Sequence, residues 1–160
     1  MIVLAIDPGS SQAQVSHTGI VLLSGTTLLD SWAVDSGVTG FSAWARHRVS
    51  LRGGPPYGVR NSQDKWVDVD VVVCEQFVDR QVMGADRSPL LVEGVVRFLW
   101  PEVVLQSASG YIQAVPNEIL KKLNLWDFGR DHHQDRRSAA RHAIRFQKNQ
   151  LVPEVLAAFR

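Results

Sequence analysis

The chain of 160 residues contains one cysteine and no apolar run long enough to cross a membrane. A lone cysteine excludes an internal disulfide framework, and Cys74 lies in an aliphatic segment where we expect it to fill the core. The opening run Met1–Ile6 is too short for a secretory signal and has no basic region before it. The hydrophobic fraction of 45% and the charged fraction of 21% are typical of globular proteins. We therefore predict one soluble, cytoplasmic domain spanning 1–160.

The sequence also lacks an overall excess of charge. A formal net charge of +1 argues against a globally basic binding protein. The charge is nevertheless unevenly distributed, because the segment from Lys121 to Lys148 has three acids and eight basic residues, namely Lys121, Lys122, Arg130, Arg136, Arg137, Arg141, Arg145 and Lys148. Basic residues around a small acidic centre suit a protein that acts on phosphate groups.

Apolar periodicity predicts an α/β fold in the order βββαβαβαα. The predicted strands are Met1–Ile6, Thr18–Leu23, Thr26–Val34, Val67–Glu75 and Val103–Gln106. The predicted helices are Phe41–Leu51, Pro89–Leu99, one ending at Leu123 and one beginning at Asp131 or His132, whereas Arg52–Lys65 is predicted as a loop. Three antiparallel strands followed by strands that alternate with helices predict a mixed five-stranded sheet with helices on both faces. In such a sheet the first and fourth strands can be neighbours.

Four side chains stand where they could bind divalent metal. Asp7 and Glu75 each end an apolar strand, and His132 and Asp135 lie three residues apart at the start of the last helix. Two carboxylates held close together are costly without a cation. A pair of metal ions can hold a phosphodiester between an attacking water and a leaving oxygen. Carboxylates favour Mg²⁺ or Mn²⁺, and one imidazole shifts the preference toward Mn²⁺.

Each of these residues also has a plain structural interpretation. Asp7-Pro8-Gly9-Ser10 matches a type II turn, and a strand often ends in a solvated acid such as Glu75. Asp131 could cap the last helix, and Asp135 could complement its dipole. We assign three further histidines, His17, His133 and His142, to surface or packing positions.

Taken together, three blocks resemble the signatures of RuvC-type Holliday junction resolvases, which have the ribonuclease-H-like fold. The blocks are Ile6–Ser10 with Thr18-Gly19-Ile20, then Cys74-Glu75-Gln76-Phe77, then His132-His-Gln-Asp135. The resemblance extends from Met1 to about Phe146. It implies that Asp7, Glu75, His132 and Asp135 are the catalytic ligands of two Mg²⁺ or Mn²⁺ ions. The third ligand is often Asp in that family, so Asp131 remains an alternative to His132.

The resemblance also implies partners: a homodimer that nicks symmetric strands of a four-way DNA junction, with no small-molecule cofactor and no membrane. In that family, an aromatic residue shortly after the Glu of the second block contacts junction bases. Phe77, which follows Glu75 by two residues, is the nearest candidate here. The basic residues predicted to contact DNA are Lys121, Lys122, Arg130, Arg136, Arg137 and Arg141. The short segment between Leu123 and Arg130 resembles compact bacteriophage-encoded members, which would place the protein in the host-cell cytoplasm.

Three competing functions remain open. Actin-like ATPases and sugar kinases share the fold, but they clamp nucleotide between two such domains and need further glycine-rich loops that this sequence lacks. A non-catalytic junction-binding protein is a second alternative, although all four ligand positions are filled. A broader endonuclease that cuts flaps and other branched DNA is the third.

Overall fold

In a computed structural model, the described residues are 1–10, 17–50, 56–78, 86–129 and 133–160. The strands are β1 (Ile2–Asp7), β2 (Thr18–Ser24), β3 (Thr27–Val34), β4 (Tyr57–Arg60), β5 (Trp66–Val69), β6 (Val71–Gln76) and β7 (Val104–Ser107). The helices are α1 (Gly37–Arg48), α2 (Ser88–Leu99), α3 (Tyr111–Ala114), α4 (Asn117–Lys122), α5 (His133–Asn149) and α6 (Pro153–Ala158).

The main sheet has five strands in the order β3-β2-β1-β6-β7. β1 pairs antiparallel with β2 and parallel with β6, and β6 pairs parallel with β7. This arrangement confirms the predicted mixed sheet flanked by helices. It also confirms that the first strand lies beside the strand that carries Glu75.

Side-chain alternation along the central strands separates two cores. Leu4 and Ile6 of β1 face the core that contains residues of α1 and α2. Val3 and Ala5 face the opposite core, which contains the alanines of α5. Because the period is two, the next residue of β1 after Ile6 points toward α5. The same alternation on β6 puts Val73 on the α5 side.

The loop predicted over Arg52–Lys65 is partly wrong. Within that range the structure forms β4, which pairs antiparallel with β5 as a separate two-stranded sheet. Tyr57 and Val59 are buried at alternate positions, as in a strand. The sequence pattern predicted a loop because glycines and prolines precede these two residues. The strand predicted over Val67–Glu75 is divided at Asp70. The backbone N–H of Asp70 donates to Ile2 O, and its carboxylate accepts a hydrogen bond from Ile2 N at 2.7 Å.

Two short helices were not predicted. α3 has four residues and α6 has six, so neither is long enough to display an apolar period. The predicted α2 is confirmed, with Pro89 in its first turn and its end at Leu99. Within the described ranges, no helix combines the length and the apolar character needed to span a membrane.

Candidate active site at the ends of the central parallel strands

Asp7 and Glu75 lie at the same end of two neighbouring parallel strands. Ile6 of β1 pairs with Cys74 of β6, so Asp7 and Glu75 are the next residues in register. By the alternation described above, both side chains point to the α5 face of the sheet. The two carboxylates share a side-chain hydrogen bond. Two distant sequence positions therefore converge because two buried strands end together.

α5 brings a third carboxylate and a hydroxyl to this pair. Asp135 lies in the first turn of α5, and its charge acts on Asp7. Ser138, one turn later, hydrogen-bonds the Asp7 carboxylate. The backbone at Asp135 packs against Gly19 of β2 so closely that a Cβ on Gly19 would lie 2.1 Å from Asp135 O. Glycine at this position therefore sets how near the start of α5 approaches the sheet.

The electrostatics of Asp7 are those of a crowded acidic site. Burial raises the pKa of the Asp7 carboxyl well above its usual range, and the negative charges of Glu75 and Asp135 raise it further. The hydrogen bond from Ser138 acts in the opposite direction. In the absence of a cation, ionisation of this group is therefore costly. A divalent cation would relieve the same repulsion without a proton.

His142 contacts the candidate site, and the sequence interpretation did not place it there. Its side chain is fully buried, and Nε2 lies 2.8 Å from Glu75 Oε2. Nδ1 lies 3.0 Å from the side chain of Gln106, which pairs with Glu75 across β6 and β7. The Tyr111 ring stacks on the imidazole with a centroid distance of 5.2 Å. His142 therefore occupies a buried packing position, as assigned, and it also contacts a candidate ligand, which the sequence interpretation did not predict.

A signal for His142 is present in the sequence. Asp135, Ser138 and His142 are spaced i, i+3 and i+7, which places them on one helix face. That face is otherwise flanked by the buried alanines Ala139 and Ala143. A polar row on the inward side of a helix needs partners, and here the partners are the strand carboxylates.

The turn after β1 also differs from expectation. Gly9 is not at positive φ, so the predicted type II turn is wrong. Glycine is required there for a different reason: a Cβ would lie 2.2 Å from the carbonyl carbon of His17. His17 is likewise more than a loop residue, because its Nδ1 lies 3.9 Å from Asp135 Oδ2 with only 12% of the side chain exposed.

Phe77, the predicted base-contacting aromatic, follows β6 directly. Its backbone N–H donates to Glu93 Oε2 at 2.6 Å. Glu93 is buried in α2 and also accepts from Arg97, with 2.7 Å between Nη2 and Oε1. The half-buried Phe77 is thus held two residues beyond Glu75.

The basic residues of α5 mostly contact backbone carbonyls. The guanidinium groups of four arginines donate to carbonyl oxygens of the preceding connections: Arg136 to Phe128, Arg137 to Trp126, Arg141 to Val115, and Arg145 to Ser107 and Ser109. Arg137 also lies 3.7 Å above the Trp126 ring. Arg141, one of the residues predicted to contact DNA, is instead buried at 6% exposure and also bonds Asn117.

Of the predicted basic residues on α4, Lys121 and Lys122 are both exposed. Lys122 Nζ donates to Ala158 O at 3.1 Å, and Lys121 Nζ lies 5.1 Å from the Trp126 ring centroid. Three predicted site residues, Arg130, Asp131 and His132, lie outside the described residues. Among the residues that are described, no three His, Cys, Asp or Glu side chains are grouped closely enough to hold a metal ion.

The mixed sheet in this strand order, flanked by helices, is the ribonuclease-H-like fold. Comparison with solved structures shows that this fold is similar to that of RuvC. The structure of T. thermophilus RuvC in complex with a Holliday junction substrate matches with a TM-score of 0.57 and 15% identity, covering 93% of this chain and 96% of that one. A second Thermus thermophilus RuvC structure matches at a TM-score of 0.45 and 14% identity, over 94% and 97%. No protein-family model and no curated sequence matches. The match at a TM-score of 0.57 shows that the chain has the RuvC fold.

Proposed function

We propose that the protein is a metal-dependent endonuclease that resolves four-way DNA junctions. The observation that carries this proposal is the convergence of Asp7, Glu75 and Asp135 at one end of a RuvC-like sheet. The similar structure is a complex with a Holliday junction, which makes branched DNA the first substrate to consider.

The donor set fits Mg²⁺ or Mn²⁺ in its chemistry. Asp7, Glu75 and Asp135 offer hard oxygen ligands, and their mutual repulsion is the cost that a divalent cation would remove. From the sequence we propose His132 as the fourth ligand, with Asp131 as the alternative. Two bound ions would supply an activated water and neutralise charge on the phosphodiester.

The residues of the chain itself fix this arrangement. Ser138 hydrogen-bonds the Asp7 carboxylate and so restricts its orientation. The side chain of Glu75 is 23% exposed, which leaves it accessible from solvent. Because the backbone of β1 and β6 is buried and paired, the two carboxylates have little freedom to separate. The protein therefore contributes preorganised negative charge and excludes alternative geometries.

DNA contact is proposed for the surface next to α5. Lys121 and Lys122 are exposed, and Arg136 and Arg137 are half-buried while keeping further N–H groups beyond those bonded to carbonyls. Phosphate binding by such groups positions a duplex without reading its sequence. Phe77, beside Glu75, is proposed to contact bases at the branch point.

Two symmetric nicks in one junction require two active sites. We therefore propose that the protein acts as a homodimer. Sedimentation velocity of the free protein and of its junction complex measures this directly. A complex with one protomer per junction would contradict it.

The substrate proposal is tested with end-labelled four-way, three-way, flap and linear duplex DNA, each incubated with Mg²⁺, Mn²⁺ or EDTA. We expect paired nicks on opposing strands of the four-way junction with either metal, no cleavage with EDTA, and little cleavage of linear duplex. Equal cutting of flaps and three-way junctions would indicate the broader branched-DNA nuclease. Binding without cleavage under every condition would indicate a non-catalytic junction-binding protein.

A further inference from the structure

We infer that His142 is a positioning residue that holds the Glu75 carboxylate ready for metal. This inference rests on the proposed function, because it concerns the same carboxylate site. Its starting point is a polar side chain with no exposed surface that contacts a candidate ligand at 2.8 Å.

The surroundings of His142 leave its ring little freedom to rotate. Nε2 faces Glu75, Nδ1 faces Gln106 at 3.0 Å, and Tyr111 stacks almost parallel to the ring with an interplanar angle of 6°. Tyr111 is itself connected to the site, since its hydroxyl lies 3.4 Å from Ser138 Oγ. A ring fixed on both nitrogens and on one face presents its Nε2 in a single direction.

The geometry across the sheet explains why such a residue is useful. Glu75 is flanked in register by Asp7 on one side and by Gln106 on the other. When both groups are ionised, repulsion between Asp7 and Glu75 opposes holding the two carboxylates where they could share a cation. A ring N–H that donates to Oε2 anchors that oxygen and leaves Oε1 as the free ligand. Groups that orient metal ligands typically affect metal affinity or activity by roughly 10- to 100-fold.

One face of α5 thereby carries one of the three carboxylates and hydrogen-bonds the other two. Asp135 contributes its own carboxylate, Ser138 hydrogen-bonds Asp7, and His142 hydrogen-bonds Glu75. Helix α5 crosses the strand ends with its residues i, i+3 and i+7 over β2, β1 and β6, respectively. One rigid element thus orients ligands that come from two different strands.

The test compares His142→Phe with His142→Gln. Phenylalanine keeps the ring stacked on Tyr111 but removes both hydrogen bonds, whereas glutamine keeps a donor toward Glu75. His47→Gln, at an exposed position on α1, is the matched control. Mn²⁺ binding without DNA is measured by titration calorimetry and electron paramagnetic resonance, and junction cleavage is measured across a range of Mn²⁺ concentrations.

We expect His142→Phe to weaken Mn²⁺ binding about 10- to 100-fold. Its cleavage rate should recover at high Mn²⁺, its affinity for the junction should stay unchanged, and His142→Gln should restore part of the Mn²⁺ affinity. A purely structural defect would not be rescued by metal. Mn²⁺ affinity of His142→Phe within twofold of wild type would overturn the inference while leaving the proposed function intact. Wild-type protein that neither binds Mn²⁺ nor cuts the junction would overturn both.

A measurement on folded wild-type protein covers the case in which His142→Phe does not fold. Nitrogen-15 spectra of the imidazole should show a slowly exchanging proton on Nε2 of His142, and Glu75→Gln should shift that resonance. A His142 ring whose Nε2 carries no hydrogen-bonded proton, or that does not respond to Glu75→Gln, would overturn the inference.

Discussion

At the scale of single residues, the properties of the site follow from the buried position of Asp7 and the charged groups around it. It ends a strand buried up to Ile6, stands in register beside Glu75, and receives a hydrogen bond from Ser138. Burial and two neighbouring charges make the ionised form costly. The same three features would make a divalent cation favourable, so one residue links the fold to the proposed chemistry.

Replacing Asp7 with Asn should stabilise the protein when EDTA removes metal. Because the folded-state pKa of Asp7 is raised, the native state binds this proton more tightly than the unfolded chain does. The resulting stabilisation is present at low pH and is lost as pH rises through the raised pKa. The Tm difference between Asp7→Asn and wild type should therefore grow from about pH 4 to pH 7.5, by about 2–4 °C for each kcal/mol of relieved repulsion.

Calorimetric melts in EDTA at several pH values measure this difference. The comparison between the two proteins cancels the other titrating groups. A Tm difference that is independent of pH, or that shrinks as pH rises, would contradict a raised Asp7 pKa.

At the scale of elements, the contact between β2 and the start of α5 determines where Asp135 lies. Gly19→Ala should displace that end of α5, because its Cβ would lie 2.1 Å from Asp135 O and 2.3 Å from Asp135 C. We expect a lower Tm and a large loss of metal-dependent cleavage. The matched control is Gly94→Ala at an exposed position of α2, where nothing lies within 4 Å of the added Cβ.

Gly94→Ala should keep full activity and gain up to about 1 kcal/mol of stability, since alanine favours a helix interior. Urea melts and cleavage rates of both variants provide the measurement. If Gly19→Ala retained wild-type cleavage, close packing against β2 would not be what places Asp135.

The arginines of α5 should differ sharply in their contribution to stability. Arg141→Met removes a buried guanidinium that bonds Val115 O at 3.2 Å and also bonds Asn117, and the substitution leaves the buried carbonyl of Val115 unpaired. We expect a cost of about 1–3 kcal/mol in the free energy of unfolding. Arg145→Met, whose carbonyl contacts are at the exposed edge, should cost less than about 1 kcal/mol. Equal costs in urea melts would refute the distinction.

The main sheet could be predicted because its strands are aliphatic runs that end at polar residues. Asp7 and Glu75 were found in this way, since both the strand end and its apolar run are visible in the sequence. The burial of Arg141 and the contact of His142 with Glu75 could not be predicted, because helical periodicity shows on which face a residue lies but not how deeply it is buried. α3 and the preceding strand lie over that part of α5, and their position depends on long-range pairing such as Glu75 with Gln106. His132 was assigned from the resemblance alone, and its role stays a prediction.

At the scale of the whole molecule, a net charge of +1 conceals an uneven distribution of charge. Arg136 and Arg137 follow Asp135 at the start of α5, and Lys121 lies over the same Trp126 ring as Arg137. The β4–β5 hairpin instead adjoins the far end of β1 through Asp70 and Ile2. DNA attracted to these three basic residues would lie close to the acidic site. This separation predicts which lysines affect DNA binding.

Lys121→Gln should weaken junction binding and reduce the slope of log affinity against log salt by about 1, because one phosphate contact would be lost. Lys65→Gln, on the hairpin side, should leave both quantities unchanged. Fluorescence anisotropy between low and moderate salt measures the slopes. Identical slopes for Lys121→Gln and wild type would place Lys121 outside the DNA-binding surface.

The most direct test of the central claim is single-turnover cleavage of a labelled four-way junction by wild type, Asp7→Asn and Glu75→Gln, with binding measured on the same DNA. We predict metal-dependent nicking by wild type only. Both variants should bind the junction as tightly as wild type or more tightly, because each removes negative charge near phosphate. Nicking by either variant at a rate close to wild type in Mg²⁺ would show that these carboxylates are not the catalytic site.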